Sequence, residues 1–214
     1  LALLSKENAI TWLAVFPLVL FIFRKATFRD ALTKTVPHLI AAVLYLVILA
    51  GIQRGQLVTG TDQLTNHVLA DAGAGERLAT AFAVLGQYLF QLFVPIHLSM
   101  DYSFAEISIL HFSDAAAWVS VLVVLSLAIA GILLTRKRNP LGFAILYLFI
   151  TLSIVSNIPF LIGTIRADRL LYMPSLAAVI LIAAGLAQIF RAPSSDTGFV
   201  FSTWSKPGRT VLMT

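Results

Sequence analysis

The residues best suited to chemistry lie in one stretch, residues 157–175, where two arginines, an aspartate and a tyrosine follow an apolar segment. If this stretch is helical, Arg166 and Arg169 share one face and Tyr172 continues it, while Asp168 lies to the side and can hold one guanidinium in place. Guanidinium groups offer planar pairs of N–H donors, so two of them at a membrane boundary form a receptor suited to phosphate oxygens. The alternative interpretation is a pair of interfacial anchors with a membrane-belt tyrosine.

A second candidate is the adjacent pair Lys6 and Glu7, which lies between apolar residues near the start of the chain. An isolated charge at the bilayer centre costs roughly 2.5–3.5 kcal/mol on insertion scales, so two opposite charges that offset each other's desolvation indicate a functional position. Adjacent helical residues point about 100° apart, which favours separate partners over a mutual ion pair. The alternative is an interfacial charge pair whose side chains extend to water.

A third candidate lies in residues 98–103, where Asp101 and Tyr102 stand beside two serines. A carboxylate next to a phenol and two hydroxyls could orient the hydroxyls of a sugar, and the alternative is a turn at the membrane surface capped by Asp101. The four histidines do not show a metal-ligand spacing such as HxxxH, so the sequence predicts no protein metal site. They are His38, His67, His97 and His111.

The elements that must position these residues are predicted to be membrane helices. Hydrophobic residues make up 59% of the 214 positions and charged residues only 12%, against roughly a quarter charged residues in soluble domains. The formal net charge is +5, but the basic residues lie at segment ends without interleaved aromatic residues, which argues against a nucleic-acid partner. The predicted fold is therefore all-α, a polytopic transmembrane helix bundle over residues 1–191 with a polar linker or tail over residues 192–214.

About six apolar segments have spanning or near-spanning length. They are residues 9–23, 36–52, 78–100, 115–135, 141–165 and 173–190. We expect Pro37 in the first turn of the second segment, and the fifth is interrupted near its end by Asn157 and Pro159. The third segment is the least lipid-like, because it contains Gln87 and Gln91 together with a proline and a histidine.

The distribution of Lys and Arg in short loops predicts the orientation of the chain. The clusters predicted to be cytoplasmic are residues 24–34, residues 136–138 and the residues after Arg191. Strict alternation of six spans breaks this pattern, so we expect residues 78–100 to be re-entrant or interfacial, broken near Pro95, with both flanks facing outward. The competing possibility is that the basic residues 136–138 face outward.

Three motifs, taken together in this order and spacing, resemble the membrane part of the transmembrane-and-tetratricopeptide-repeat proteins, a family of O-mannosyltransferases, and of its bacterial relatives. The motifs are LSKENAIT at residues 4–11, PIHLSMDYS at residues 95–103 and IRADRLLYMPS at residues 165–175. The family is similar to the C-type glycosyltransferase superfamily. The resemblance implies a helical membrane bundle that uses a polyprenyl-phosphate-linked sugar as donor and works at the outer or lumenal face.

The resemblance also implies roles for the candidate residues. Arg166, Arg169 and Lys6 are expected to bind the lipid phosphate of the donor. The residues expected to support them or to orient substrate are Glu7, Asp101, Tyr102, Asp168 and Tyr172. In such enzymes the catalytic acid lies in the first outer loop after the first membrane helix. We therefore expect that acid before Leu1 and expect this chain to be a fragment that is inactive alone; the tetratricopeptide repeats of the family are also not in the chain.

The sequence thus predicts part of a membrane glycosyltransferase that moves a sugar, mannose in the named family, from a polyprenyl phosphate to a hydroxyl of a protein or glycan. The expected partners are membrane lipids, the lipid-linked donor and the acceptor, and the expected location is the bacterial inner membrane or the endoplasmic reticulum. The alternative is a non-catalytic scaffold or a transporter that binds lipid-linked intermediates. A transporter should show internal repeats, and the two halves of the chain show no convincing one.

Overall fold

In the computed structural model the described part of the chain is Leu3 and residues 7–54, 69–96, 98, 99, 102, 107–162 and 164–190. Its regular elements are all helices. In chain order they are a first 3-10 helix Glu7–Thr11, α1 Trp12–Phe23, α2 Phe28–Arg54, α3 Ala74–Phe93, α4 Ala115–Arg136, α5 Pro140–Ser153, a second 3-10 helix Asp168–Leu171 and α6 Tyr172–Ile189.

Three helical segments are long and apolar enough to cross a membrane. They are Phe28–Gly51 in α2, Ala115–Arg136 in α4, and Asp168–Ala187, which joins the second 3-10 helix to α6. A helix of 20 residues is about 30 Å long, the thickness of the hydrocarbon core, and most of the side chains in these three segments face away from the protein. The predicted all-α membrane bundle is therefore confirmed.

The core of the bundle is built around α5. This helix contacts α1, α4 and α6, and its side chains Tyr147, Leu148 and Leu152 are all buried. By contrast, α2 packs on α1 and leaves an apolar face exposed, with the Phe16 and His38 rings 4.5 Å apart at their contact. Helix α2 is therefore apolar both on the side that packs on α1 and on the exposed side. Such a helix is suited to lipid surroundings, because lipid chains contact the apolar side chains that the protein leaves exposed.

Two predicted helix boundaries are wrong. Pro37 lies inside α2, which begins at Phe28, so the proline is not in the first turn. The fifth apolar segment ends as a helix at Ser153 rather than near Ile165. Asn157 adopts a left-handed backbone conformation with φ of 57°, which a right-handed helix cannot contain, so the apolar residues after Ser153 form a loop.

The two described basic loops lie at the same end of the bundle. Nη2 of Arg138, which follows α4, donates a hydrogen bond to the carbonyl oxygen of Ala26 between α1 and α2, at 3.2 Å. The same guanidinium lies 4.7 Å from the ring centroid of Phe21. This contact confirms that the cationic clusters in residues 24–34 and 136–138 are on one side, and we call this side the basic end.

Helix α3 lies at the other end, where α4 begins. Near its N-terminus, Glu76 Oε1 is 3.5 Å from His111 Nδ1 and the Thr80 hydroxyl accepts a hydrogen bond from the Leu110 amide at 2.9 Å. Near its C-terminus, Val94 borders the same groove as Ala115. Because both ends of α3 meet the residues just before or at the start of α4, this helix does not join the two ends of the bundle. The geometry agrees with the predicted interfacial segment, and the helix stops at Phe93, before Pro95.

Helices α4 and α5 pack closely at Gly142, where the neighbouring atoms belong largely to backbone. A Cβ atom placed on this glycine would lie 2.5 Å from the amide nitrogen of Thr135 and 2.8 Å from the carbonyl carbon of Leu134, and backbone cannot move aside as a flexible side chain can. We expect Gly142→Ala to lower the free energy of unfolding by about 1–3 kcal/mol through overpacking. The measurement is the thermal unfolding midpoint of the purified protein in detergent.

Gly185 in α6 is the matched control for this prediction, because nothing lies within 4 Å of a Cβ placed there. Gly185→Ala should leave the midpoint unchanged or raise it slightly, since alanine is the better helix former. Equal midpoints for the two variants would contradict the close contact between α4 and α5.

Candidate functional site

The loop between α5 and the second 3-10 helix is held in shape by Asn157. Its Nδ2 donates to the carbonyl oxygens of Thr164 and Ile165 at 3.1 and 3.2 Å, and its Oδ1 accepts from the amide of Ile162 at 2.9 Å. Asparagine tolerates the left-handed backbone that this position requires better than most residues do. The side chain of Asn157 therefore closes the loop that delivers Arg166 to the site.

The backbone next to Arg166 is anchored to α3 by Tyr88. The phenol oxygen of this fully buried tyrosine accepts a hydrogen bond from the Ala167 amide at 2.8 Å and lies 3.3 Å from the Ala167 carbonyl oxygen, to which it donates. Sequence reasoning missed Tyr88. The signal available was a tyrosine between the two glutamines of the third apolar segment, because a buried tyrosine hydroxyl usually has a hydrogen-bond partner.

The guanidinium of Arg166 is the centre of the site. Its Nη1 donates to Gln87 Oε1 at 2.8 Å and its Nη2 donates to Gln91 Oε1 at 2.6 Å. The two glutamines are one turn apart on α3, which is the spacing that lets both reach one guanidinium. The Arg166 guanidinium carbon also lies 4.2 Å from the ring centroid of Tyr102, within the range of a cation–π contact.

Asp168 ties the same cluster to the segment after α3. The Asp168 Oδ2 accepts a hydrogen bond from the Ser99 amide at 2.5 Å, and the Asp168 amide donates to the Ser99 carbonyl oxygen at 3.2 Å. The Asp168 Oδ1 lies 3.9 Å from Arg166 Nη2. In the same region, the Tyr102 amide donates to the Arg166 carbonyl oxygen at 3.2 Å. Two of the three motifs quoted above, residues 95–103 and 165–175, thus meet in space.

The two arginines do not share a helix face. Ala167 is extended, with φ of −157° and ψ of 130°, and the second 3-10 helix begins only at Asp168. The predicted helical stretch therefore does not include Arg166. The two arginines border different grooves, while Tyr172 opens α6 and is highly exposed.

Two open grooves flank Gln91, which borders both. The first groove, of about 400 Å³, contains Arg169, Asp168 and Ser99 beside the apolar residues Leu92, Pro95, Leu98 and Leu171. The second, of about 430 Å³, contains Arg166 and Gln87 beside Phe90, Val94, Ile96, Ala116 and Val119. Each groove therefore joins an arginine to a mainly apolar wall. Three buried polar atoms in this cluster have no hydrogen-bond partner within the described residues: Gln91 Nε2, Arg166 Nε and Asp168 Oδ1.

Exposed aromatic residues mark the level of the membrane surface at this end. Trp118 lies in the first turn of α4 with half of its surface exposed, and Trp12 opens α1 with a similar exposure. Tyr172 opens α6 three residues after Arg169. Tryptophan and tyrosine concentrate where hydrocarbon meets headgroups. The two arginines are therefore near the level of lipid phosphate groups.

Part of the predicted site lies outside the described residues. Lys6, Asp101 and the side chain of Glu7 belong to this part. The first 3-10 helix, which begins at Glu7, contacts α5. Phe23 at the far end of α1 packs on Phe143 at the start of α5, with ring centroids 5.2 Å apart, so α1 and α5 run antiparallel. The first 3-10 helix consequently lies toward the C-terminal end of α5, the end that leads to Arg166.

The described residues thus form an all-α integral membrane bundle with an arginine-centred polar cluster and two grooves at one end. Comparison of the chain with protein-family models, with curated proteins and with solved structures finds no match.

Proposed function

We propose that this chain is part of a membrane glycosyltransferase and that it binds the polyprenyl-phosphate-linked sugar donor. The observation that carries the proposal is that Arg166 and Arg169, at the end of the bundle where Trp12, Trp118 and Tyr172 are exposed, each border a groove with an apolar wall. A lipid phosphate combines a long apolar chain with an anionic group, and these grooves offer matching surfaces for both. The family resemblance supports a sugar, mannose in that family, as the transferred group.

The proposed reaction is an in-line displacement at the anomeric carbon of the sugar. The acceptor hydroxyl oxygen forms a bond to that carbon while the bond from carbon to the phosphate oxygen breaks, and a carboxylate base outside the described residues takes the hydroxyl proton. Arg166 and Arg169 stabilise the negative charge left on the departing phosphate. The acceptor is a hydroxyl of a protein or a glycan, approached from the outer or lumenal side.

Asp168 is a positioning residue in this proposal rather than the base. One of its oxygens accepts a hydrogen bond from the Ser99 amide and the other faces Arg166, so its charge is used within the site.

The engagement of Asp168 also favours a second candidate function, a scaffold that binds lipid-linked intermediates without catalysis. The described residues bordering the grooves include no other acid that could act as the base.

Substitution of Arg169 tests the proposal. In the full-length protein, Arg169→Ala should reduce sugar transfer from a polyprenyl-phosphate sugar by at least about 100-fold, as expected when one charge-stabilising donor is removed. Membrane insertion should be unaffected, because Arg169 is exposed. Transfer is measured with radiolabelled donor in proteoliposomes, and binding is measured by competition with polyprenyl phosphate and with the uncharged polyprenol.

Arg77 in the first turn of α3 provides the control, since it is at the same end of the bundle but borders neither groove. Arg77→Ala should keep full transfer. If Arg169→Ala also keeps full transfer, the phosphate role is wrong. If the wild-type protein binds polyprenyl phosphate but transfers no sugar, the scaffold function replaces the enzyme.

A further inference from the structure

Seven cationic side chains are gathered at the basic end of the bundle, far from the groove site. They are Arg24, Lys25, Arg29, Lys34, Arg136, Lys137 and Arg138. The two segments that carry them, residues 24–34 and 136–138, contain a single acid, Asp30, whose Oδ2 accepts a hydrogen bond from the Thr27 hydroxyl at 2.6 Å. The two segments together therefore have a net charge of +6.

Arg138 joins these segments into one surface. Its hydrogen bond to Ala26 and its contact with Phe21 hold the loop after α4 against the loop after α1. The backbones of Lys25 and Arg138 are both left-handed, with φ of 53° and 54°, which marks a tight turn in each loop. Arg138 is half-buried because it makes these two contacts, whereas the other six cations are exposed.

The surroundings of this surface indicate the kind of partner. It lies at the end of membrane-length helices, and Phe23 and Phe28, which flank the first basic loop, are large exposed apolar side chains, the latter with 67% of its surface exposed. Exposed phenylalanines beside cations match a position where acyl chains meet headgroups. We propose that the basic end binds the headgroups of anionic phospholipids, with the phosphodiester and other headgroup anions paired to the exposed Arg and Lys side chains.

The other end has a different charge balance. Its described ionisable residues include Glu76, Asp114 and Asp168 beside Arg77, Arg166 and Arg169, so these charges balance and no comparable excess of positive charge exists there among the described residues. Anionic-lipid binding of this kind should therefore belong to one end. Anionic-lipid binding at the basic end requires no part of the groove site and does not depend on the proposed glycosyltransferase function.

The test compares two phospholipids with identical acyl chains on the purified full-length protein in neutral detergent. Native mass spectrometry counts bound phosphatidylglycerol and phosphatidylcholine over a titration. We expect the anionic lipid to bind at least tenfold more tightly, and we expect this preference to fall as salt rises. Equal affinity for the two lipids would overturn the proposal, as would tighter binding of a single-stranded oligonucleotide than of phosphatidylglycerol.

A variant with four exposed cations neutralised locates the site. In this variant Gln replaces each of Arg24, Lys25, Arg136 and Lys137. Arg138 is kept so that its hydrogen bond to Ala26 still joins the two loops. Phosphatidylglycerol affinity should fall at least tenfold, since each cation near a membrane surface contributes roughly a fivefold effect and four are removed, while phosphatidylcholine binding stays constant. Unchanged preference for the anionic lipid would exclude this surface.

Two further variants separate charge from folding. Exchanging Lys25 and Lys137 for Arg retains every charge and should retain the preference, and Arg77→Gln, which removes a cation at the other end, should also retain it. A loss in Arg77→Gln equal to that in the fourfold variant would show that binding is not specific to the basic end and would overturn the proposal. If the fourfold variant does not fold, the double variant Lys25→Gln with Lys137→Gln decides: a loss of several-fold supports the proposal and no loss contradicts it.

Discussion

Replacing Arg166 with methionine should abolish lipid-phosphate binding and lower the free energy of unfolding by about 1–3 kcal/mol, the usual cost of leaving largely buried polar groups without their partner. The side chains of Arg166 and Asp168 are only 14% and 12% exposed, so water cannot fully solvate the remaining carboxylate. Gln87 and Gln91 also lose the donors to their carbonyl oxygens. Methionine has a similar volume, so the effect reports mainly lost charge and hydrogen bonds rather than a cavity.

The measurement combines unfolding in detergent with binding of a labelled polyprenyl phosphate. Arg166→Lys keeps the charge but offers one ammonium where a planar guanidinium reaches two glutamines, and it should be intermediate in both readouts. The double variant Arg166→Met with Asp168→Leu should recover part of the stability without recovering binding, because it removes both charges. A single Met variant as stable as the wild-type protein would contradict a stabilising role of the Arg166 contacts with Gln87, Gln91 and Asp168.

Replacing Asn157 with alanine should lower the free energy of unfolding by about 2–4 kcal/mol, since three hydrogen bonds to the loop backbone are lost and alanine tolerates the left-handed conformation less well than asparagine does. The carbonyl oxygens of Thr164 and Ile165 and the amide of Ile162 lose their partner. Because this loop leads directly to Arg166, the affinity for the lipid phosphate should fall as well. Thermal unfolding and the same binding assay measure the two effects.

Two substitutions at this position divide the effect into its causes. Asn157→Gly relieves the backbone strain but still lacks the hydrogen bonds, so it should be more stable than Asn157→Ala by about 1 kcal/mol. Asn157→Asp keeps an acceptor for the Ile162 amide, loses the two bonds donated by Nδ2 and places a carboxylate oxygen against two carbonyl oxygens, so it should be less stable than the wild-type protein. If all three variants retain wild-type stability and affinity, the loop is held by other contacts and Asn157 has no positioning role.

Several features of the fold follow directly from local sequence. The low fraction of charged residues and the apolar segments predicted the all-α membrane bundle, because a backbone in lipid must satisfy its hydrogen bonds within helices. The basic clusters after α1 and α4 predicted loops on one side, and the bond from Arg138 to Ala26 confirms it. Pro95 predicted the end of α3. These signals need only neighbouring residues, so no tertiary information was required.

The site was only partly predictable for a physical reason. Arg166, Asp168 and Tyr102 were recognised because ionisable and aromatic residues at a membrane boundary are informative by type. Gln87 and Gln91 appeared only as residues that make a segment less apolar, since nothing in a sequence states which distant donor an amide will meet. The helix face considered for Arg166 and Arg169 does not form, because Tyr88 on α3 and Asn157 in the preceding loop hold the backbone beside Arg166 extended.

The sequence by itself determined that this chain resides in a membrane, which loops share a side, and which charged residues stand at its boundary. Tertiary structure alone decided that the two arginines face separate grooves, that a pair of glutamines on α3 holds one of them, and that Tyr88 and Asn157 fix the backbone beside that arginine. The features determined by sequence depend on the free energy of transferring side chains between water and lipid, which is set by each residue's type and not by its distant neighbours. The features decided by tertiary structure depend on hydrogen bonds between residues up to 79 positions apart, and such partners are chosen only when the helices pack.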